Sequence, residues 1–430
     1  MLRIIDKKEE QLRKKIRLGH NKIGWPLKNV AKIEIKSNSW FDIKKTKFQK
    51  VDLKPIKKIN VTSKVIKCKK VPIYFNEEQR DIILLWMDAA VDMYNLVISE
   101  FRTRYYNKMP IITDHIAIRD VILKTEREEL MQECKVPYNI MTNAITRACA
   151  AFKAALTNLK NGNINHFRLR NIKYSNSNKV ISIDSKDFSR IHNTFFIRLL
   201  GNSVDSGNFE LKTITSMSTL CYNSKTDKFA LMVPEKVDSY IPRDNRKIIS
   251  FDAGTRTYLT GISDNHIIEI CNGADKKIMP MLKSVDKVQA AAIPEWKKAK
   301  KRDRINYKIK NVIKDMHWKV IKFLTENYET IIIGEWSTKS CCQGKVHASV
   351  KRMMNQLSFY SFLQKLKYKC ELTQTNLFIT PEHFTSKLCS RCGTYNDKLG
   401  SSKVFNCGSC GITIDRDVNG CRNIYLQNQY

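Results

Sequence analysis

Cys389-x-x-Cys392 is followed, after fourteen residues, by Cys407-x-x-Cys410. Four thiols in two paired steps have the spacing of a structural site for one Zn2+. A shell closed by four sulfurs has no vacant position, so chemistry at this end must come from other groups. Carboxylates stand close by. Asp415-Arg416-Asp417-Val418-Asn419-Gly420 begins five residues after the last cysteine, Asp252 ends the apolar run KIISFD, Glu335 ends ETIIIGE, and Glu382 ends LFITPE. Acids at the carboxyl ends of strands or at a helix start can hold two Mg2+ (or Mn2+) about 4 Å apart for phosphodiester hydrolysis. Each acid also has an ordinary reading. Asp252 can form a turn, either of Asp415 and Asp417 can cap a helix, and the glutamates can open loops. Such a mechanism usually needs a third carboxylate, and the residues alone leave Glu335 and Glu382 open. His383, beside Glu382, reads as a packed or exposed histidine.

These acids need a sheet to position them. Residues 245–430 alternate strands and helices, as α/β domains do. Upstream, VIKCKKVPIYFN at 64–75 alternates like a strand, and Asn76-x-x-Gln79 reads as a capping box before a long helix. Helical stretches follow near 115–133 and 139–160, separated at Pro137. From about 165 to 240, the runs VISID, FFIRLL, FELKTI and KFALMV read as antiparallel β structure interrupted by the helices. Residues 1–60 are Lys-rich and weakly periodic, which suggests a flexible basic arm or an import signal.

The chain has 430 residues and 42% hydrophobic composition, enough for several cored domains. Lys and Arg number 76 against 42 Asp and Glu, a formal charge of +34. That excess implies a polyanionic partner, most plausibly nucleic acid. Lys297, Lys298, Lys300, Lys301, Arg302 and Arg304 crowd two turns of one helical stretch and suit phosphate contact. Thirteen cysteines, an odd number and mostly scattered, fit a reducing cytosolic or nuclear compartment. No secretory signal or apolar run near 18 residues is visible, so a membrane location is not expected.

FDAGTRTYLTG, IIIGEWSTK, HFTSKLCSRCG and DRDVNGCRNI occur in the order and spacing of a RuvC-like nuclease carrying a zinc ribbon. On these motifs the chain resembles the transposon-encoded TnpB family and its eukaryotic and giant-virus relatives, the Fanzor proteins. The resemblance implies a multidomain α+β and α/β chain. After a basic arm (1–60), a β-barrel-like wedge domain (61–75 and 165–244) is interrupted by a helical recognition domain (76–164). An RNase H-like nuclease domain (245–430) follows, with a zinc ribbon inserted at 385–414. It further implies an RNA-guided DNA endonuclease, monomeric on its guide RNA, acting on a double-stranded DNA target through a guide RNA–DNA heteroduplex. Asp252 would be its first carboxylate and Asp417 its third, both on Mg2+. The commoner pattern has Glu where this chain has Gly334. Fanzor-type proteins instead carry a Glu just before TSK, so the resemblance favours Glu382 as the second ligand. Glu335 is a reserve that needs a bulge to re-aim it. Two other functions remain open: a nuclease-inactive guided repressor and a zinc-ribbon transposase accessory factor.

Overall fold

The computed structural model describes residues 10, 12–16, 25, 32–35, 42–51, 53, 64–132, 135–242, 247–336, 338, 342, 346–381, 384–400 and 402–428. The chain forms two compact units, Met1–Val65 with Asp238–Tyr430, and Ile66–Val237.

The first unit is built on one mixed sheet. Its strands are β1 (Lys32–Ile35), β2 (Ile43–Lys47), β7 (Ile248–Ala253), β8 (Thr257–Ser263), β9 (His266–Asn272), β10 (Thr330–Gly334) and β11 (Asn376–Thr380). Their order is β1-β2-β9-β8-β7-β10-β11. β10 runs parallel to β7 and β11, whereas β8 is antiparallel to both its neighbours. The central strands IISFDA and TIIIG are almost continuously apolar because both faces of the sheet are covered. Ile249, Phe251, Ile331 and Ile333 face one core. Its helices are α5 (Ala274–Ala290), α6 (Glu295–Asn327), α7 (Ala348–Leu357) and α8 (Phe359–Leu372). Ile248, Ile262 and Ile332 face the other core, under α9 (Arg416–Gln427) and the cysteine-rich segment. α7 and α8 are separated at Ser358, whose φ is 49°.

The described part of the basic N-terminal stretch is ordered into this unit and is not a flexible arm. β2 pairs antiparallel with β9, and β1 pairs with β2. Leu12, Ile16, Trp25 and Val51 are buried in the α9 core. The Trp25 and Tyr425 rings meet edge-on, 5.4 Å between centroids.

The second unit holds a four-stranded sheet in the order β3-β6-β5-β4. These are β3 (Lys64–Ile73), β6 (Lys228–Asp238), β5 (Ser218–Asn223) and β4 (Asn178–Ile183). Among the described residues this sheet is open, where a barrel was expected. It shares one core with α1 (Glu77–Tyr106), α2 (His115–Gln132) and α3 (Tyr138–Lys160), so helices and strands fold as one body. The capping box is present: Asn76 Oδ1 accepts from Gln79 N at 2.8 Å, and Gln79 Oε1 accepts from Asn76 N at 3.3 Å. FFIRLL is not a strand; it contains the single-turn helix α4 (Ile197–Leu200), and Phe196 before it sits at φ 47°. FELKTI contains a 3-10 turn, its Leu211 N held by Asn193 Oδ1 at 2.6 Å. Side-chain anchoring of the loop overrides strand propensity in FELKTI. α1 is long and apolar enough to cross a membrane by length and composition, but half of its most apolar window is buried inside this unit.

Candidate active site and cysteine cluster

Asp252 lies on β7 one step before its end, and alternation sends its side chain to the α9 face together with Ser250. Ser250 Oγ donates to Cys421 O at 2.8 Å, and the Cys421 thiol donates to Thr260 O at 2.9 Å, locking α9 onto β7 and β8. At Gly420 a Cβ would lie 2.5 Å from Asp252 Oδ2. The helix therefore rests directly against the Asp252 carboxylate.

Asp417 lies one turn before Gly420, on the same side of α9. The two Asp residues of this segment divide their work. Asp415 caps the helix, its Oδ1 accepting from Asp417 N at 2.8 Å and Val418 N at 3.2 Å. That leaves the Asp417 carboxylate open to solvent yet crowded by protein. Loss of surrounding water, then the Asp415 charge, raises its pKa above the usual carboxylate value, against Arg416, Lys403 and Arg256. Hard oxygen donors of this kind suit Mg2+ or Mn2+.

Glu335 follows directly on the end of β10. Ile333 pairs with Phe251 and Gly334 with Thr380, so Gly334 is level with Asp252 across the sheet. Glu335 N donates to Thr380 O at 2.7 Å, and Trp336 N donates back to Gly334 O at 3.1 Å, so the chain turns at the end of β10. The Glu335 side chain is exposed, whereas Trp336 packs against Phe359 in the core of Ile333. Gly334 has the right parity and no side chain. Thr380 faces α9, where Asn428 Nδ2 donates to its hydroxyl at 2.6 Å. Glu382 and His383 lie outside the described residues.

Cys389, Cys392, Cys407 and Cys410 bring their sulfurs within 4.8 Å of one another. The 389–410 and 392–407 pairs are 3.6 and 3.5 Å apart. A tetrahedron with bonds of about 2.3 Å has edges near 3.8 Å, so a metal ion such as zinc fits the cluster. Burial raises the Cys389 pKa. At Cys392 burial is outweighed by hydrogen bonding with Thr394 and Cys407, and the value falls to about 7. The cluster is tied to α9 by two asparagines one turn apart. Asn419 accepts from Ser390 N at 2.9 Å and donates to Leu388 O at 2.8 Å; Asn423 donates to Leu388 O at 2.8 Å and Thr385 O at 2.7 Å.

The basic run occupies the first turns of α6, before its buried stretch from Ile309 onward. Lys297, Lys300, Lys301 and Arg304 are exposed along one side, joined by Lys308. Lys298 turns toward Glu295 at 4.0 Å, and Arg302 donates to Gln289 at 2.9 Å, so these two leave the stripe.

Sequence reasoning missed the seating of Gly420 on Asp252, the asparagine ties and the nearness of Arg256 to Asp417. The D-x-N-G spacing carried the signal for the first two, since Asn419 and Gly420 adjoin the suspected ligand.

Residues 359–424 match the model of the Cas12f1-like TNB domain. A TnpB-like protein of Acanthamoeba polyphaga mimivirus is 29% identical over 91% of this chain and 82% of its own length. Over most of its length the chain is similar to TnpB-like proteins. The similarity is weaker but still present for the putative RNA-guided DNA endonuclease InsQ of Escherichia coli, which is 25% identical over 41% of this chain and 48% of its own length. Among solved structures, the Cas12f1–sgRNA–target DNA complex aligns with a TM-score of 0.51 at 12% identity, covering 85% of this chain and 99% of that one. This last likeness concerns the mixed α+β fold.

Proposed function

We propose that this TnpB-like chain is an RNA-guided DNA endonuclease of the Fanzor type, encoded by a transposable element. The observation that carries this reading is the seating of α9 on β7: Gly420 rests against Asp252, with Asp417 one turn away. Asp252 and Asp417 would bind the divalent ions, Mg2+ or Mn2+. Those ions, when bound, supply an activated water and stabilise the leaving oxygen. Arg256, near Asp417, would draw the scissile phosphate toward the acids. Glu382 is the favoured further ligand, because Fanzor-type proteins carry a Glu just before TSK. The four cysteines would hold one structural Zn2+, keeping the ribbon folded against Asn419 and Asn423.

Guide RNA pairing would read the target, and the protein a short adjacent motif. The second unit would supply wedge and recognition functions, and the stripe on α6 would contact nucleic-acid phosphates. We also place the protein in a reducing compartment, cytosolic or nuclear, as one copy per guide RNA.

The test is cleavage of a guided target in Mg2+ by wild type and single variants. Asp252→Ala, Asp417→Ala and Glu382→Ala should abolish cutting while RNA and target binding persist. Glu335→Ala should cut like wild type. Loss in Glu335→Ala with retention in Glu382→Ala would overturn the ligand assignment. Gly334, bare on the Asp252 face, favours one second reading: guided binding without cleavage, as in a repressor. Mg2+-dependent cutting by wild type would exclude it.

A further inference from the structure

α6 also presents an aromatic series that phosphate contact does not explain. Trp296, Tyr307 and Trp318 are 65%, 60% and 38% exposed. They recur every 11 residues along one helix. Eleven residues make about three turns, so the rings fall on one side, each about 16 Å from the next. Lys301, Arg304 and Lys308 run beside them on the same exposed half of the helix. The opposite side supplies Ile313, Met316, Val320 and Leu324 to the core. Three large rings left in water on a helix whose other face is well packed mark a surface with an external occupant.

The direction of the helix says where that surface lies. α6 ends at Asn327, just before β10 begins at Thr330, so it runs back along the sheet toward the carboxyl ends of β7 and β10. β10 spans about 17 Å, whereas Ile309 to Leu324 already covers about 24 Å of helix. The turns carrying Trp296 and Tyr307 therefore project beyond the sheet edge that holds Asp252.

We propose that this face of α6 is a platform for unpaired DNA, with bases stacking on Trp296, Tyr307 and Trp318 and phosphates pairing with the adjacent cations. Lys297 lies over the Trp296 ring, its Nζ 5.3 Å from the centroid, so ring and cation already act together. A duplex hides its base faces, so stacking on these rings needs an unpaired strand. The series spans about 33 Å, or some ten nucleotides at 3.4 Å each, within the usual range of single-strand sites. DNA is the strand chosen because the platform extends from the edge bearing Asp252. That choice rests on the nuclease reading above; single-strand stacking itself does not.

The experiment is fluorescence anisotropy of the full chain with a labelled 12-nucleotide oligothymidylate, the matching oligouridylate and a 12-base-pair DNA duplex, at one salt concentration. Trp296→Ala/Tyr307→Ala/Trp318→Ala should weaken oligothymidylate binding at least tenfold and duplex binding less than twofold. Replacing the same three residues with Phe should restore affinity to within threefold, which separates stacking from misfolding. Unchanged oligothymidylate binding in the Ala variant, an equal loss on duplex, or a loss confined to oligouridylate would each overturn the proposal. A wild type that cuts no guided target but shows this binding pattern would sink the nuclease reading and uphold the platform.

Discussion

Gly420 lacks a side chain where the Asp252 carboxylate needs the space. A methyl group there would approach Oδ2 to 2.5 Å, closer than any ordinary contact, and the short Asp side chain has little room to yield. Gly420→Ala should therefore shift either Asp252 or α9. Overpacking of this kind costs about 1–3 kcal/mol of stability. The effect on chemistry should be larger, since a misplacement of about 1 Å at a reacting centre costs on the order of a hundredfold. The expected result is guided cleavage down about a hundredfold with RNA binding intact; cleavage within threefold of wild type would contradict it. The strand-end place of Asp252 and the cysteine cluster were legible in the sequence because a strand-end acid before Gly and paired thiols are local patterns. The contact that fixes Gly420 joins positions far apart in the chain, so only the D-x-N-G spacing hinted at it. The choice between Asp415 and Asp417 was open for a similar reason. Both acids suit a helix start, and only the bonds from Asp417 N and Val418 N to Asp415 Oδ1 assign the cap.

At the scale of elements, α9 is the part that joins the cysteine cluster to the acids. It is buried on nearly every side, between the sheet, the ribbon and the N-terminal residues. Asn419 accepts the Ser390 N–H inside the knuckle and lies two residues from Asp417. Asn419→Ala would leave that buried donor without its partner, at a cost of about 1–3 kcal/mol. Its melting temperature should fall and chelator should release its metal faster, whereas an exposed ribbon substitution such as Lys398→Ala should leave both unchanged. Equal release rates for Asn419→Ala and wild type would rule out the coupling. Stripping the metal from wild type should lower cleavage in a way that Mg2+ alone does not restore and Zn2+ does. The alternation of strands and helices around this site was readable because buried central strands and amphipathic helices have distinct periods. β1 and β2 were not, since IKKTK, although paired on both sides, is half-exposed and Lys-rich and looks like a solvated tail.

The whole molecule carries a charge of +34, and its response to acid depends on two histidines buried in the first unit. His266 donates to Asn265 and accepts from the Tyr328 hydroxyl at 2.7 Å; burial, then Lys45, Lys247 and Lys47, lower its pKa to about 3. His317 Nε2 donates to Leu357 O at 3.0 Å, and its Nδ1 accepts from Lys365 at 3.1 Å; burial, then Lys365, lower its value to about 4. Both rings are neutral in the fold and take a proton near pH 6.5 once unfolded. Above that pH they contribute nothing to pH dependence. As pH falls below 6.5 the unfolded chain gains protons that the folded chain refuses, so stability drops until the folded values are reached. Between pH 7 and pH 5 the pair should cost about 4 kcal/mol. Each unit has its own core, so unfolding should resolve two transitions in urea or by calorimetry. The transition of the sheet-and-α9 unit should shift strongly at pH 5, and His266→Gln/His317→Gln should remove most of that shift. Acid sensitivity that persists in the double variant would place its origin in the general charge repulsion of a strongly basic chain, and raising the salt concentration would then suppress it.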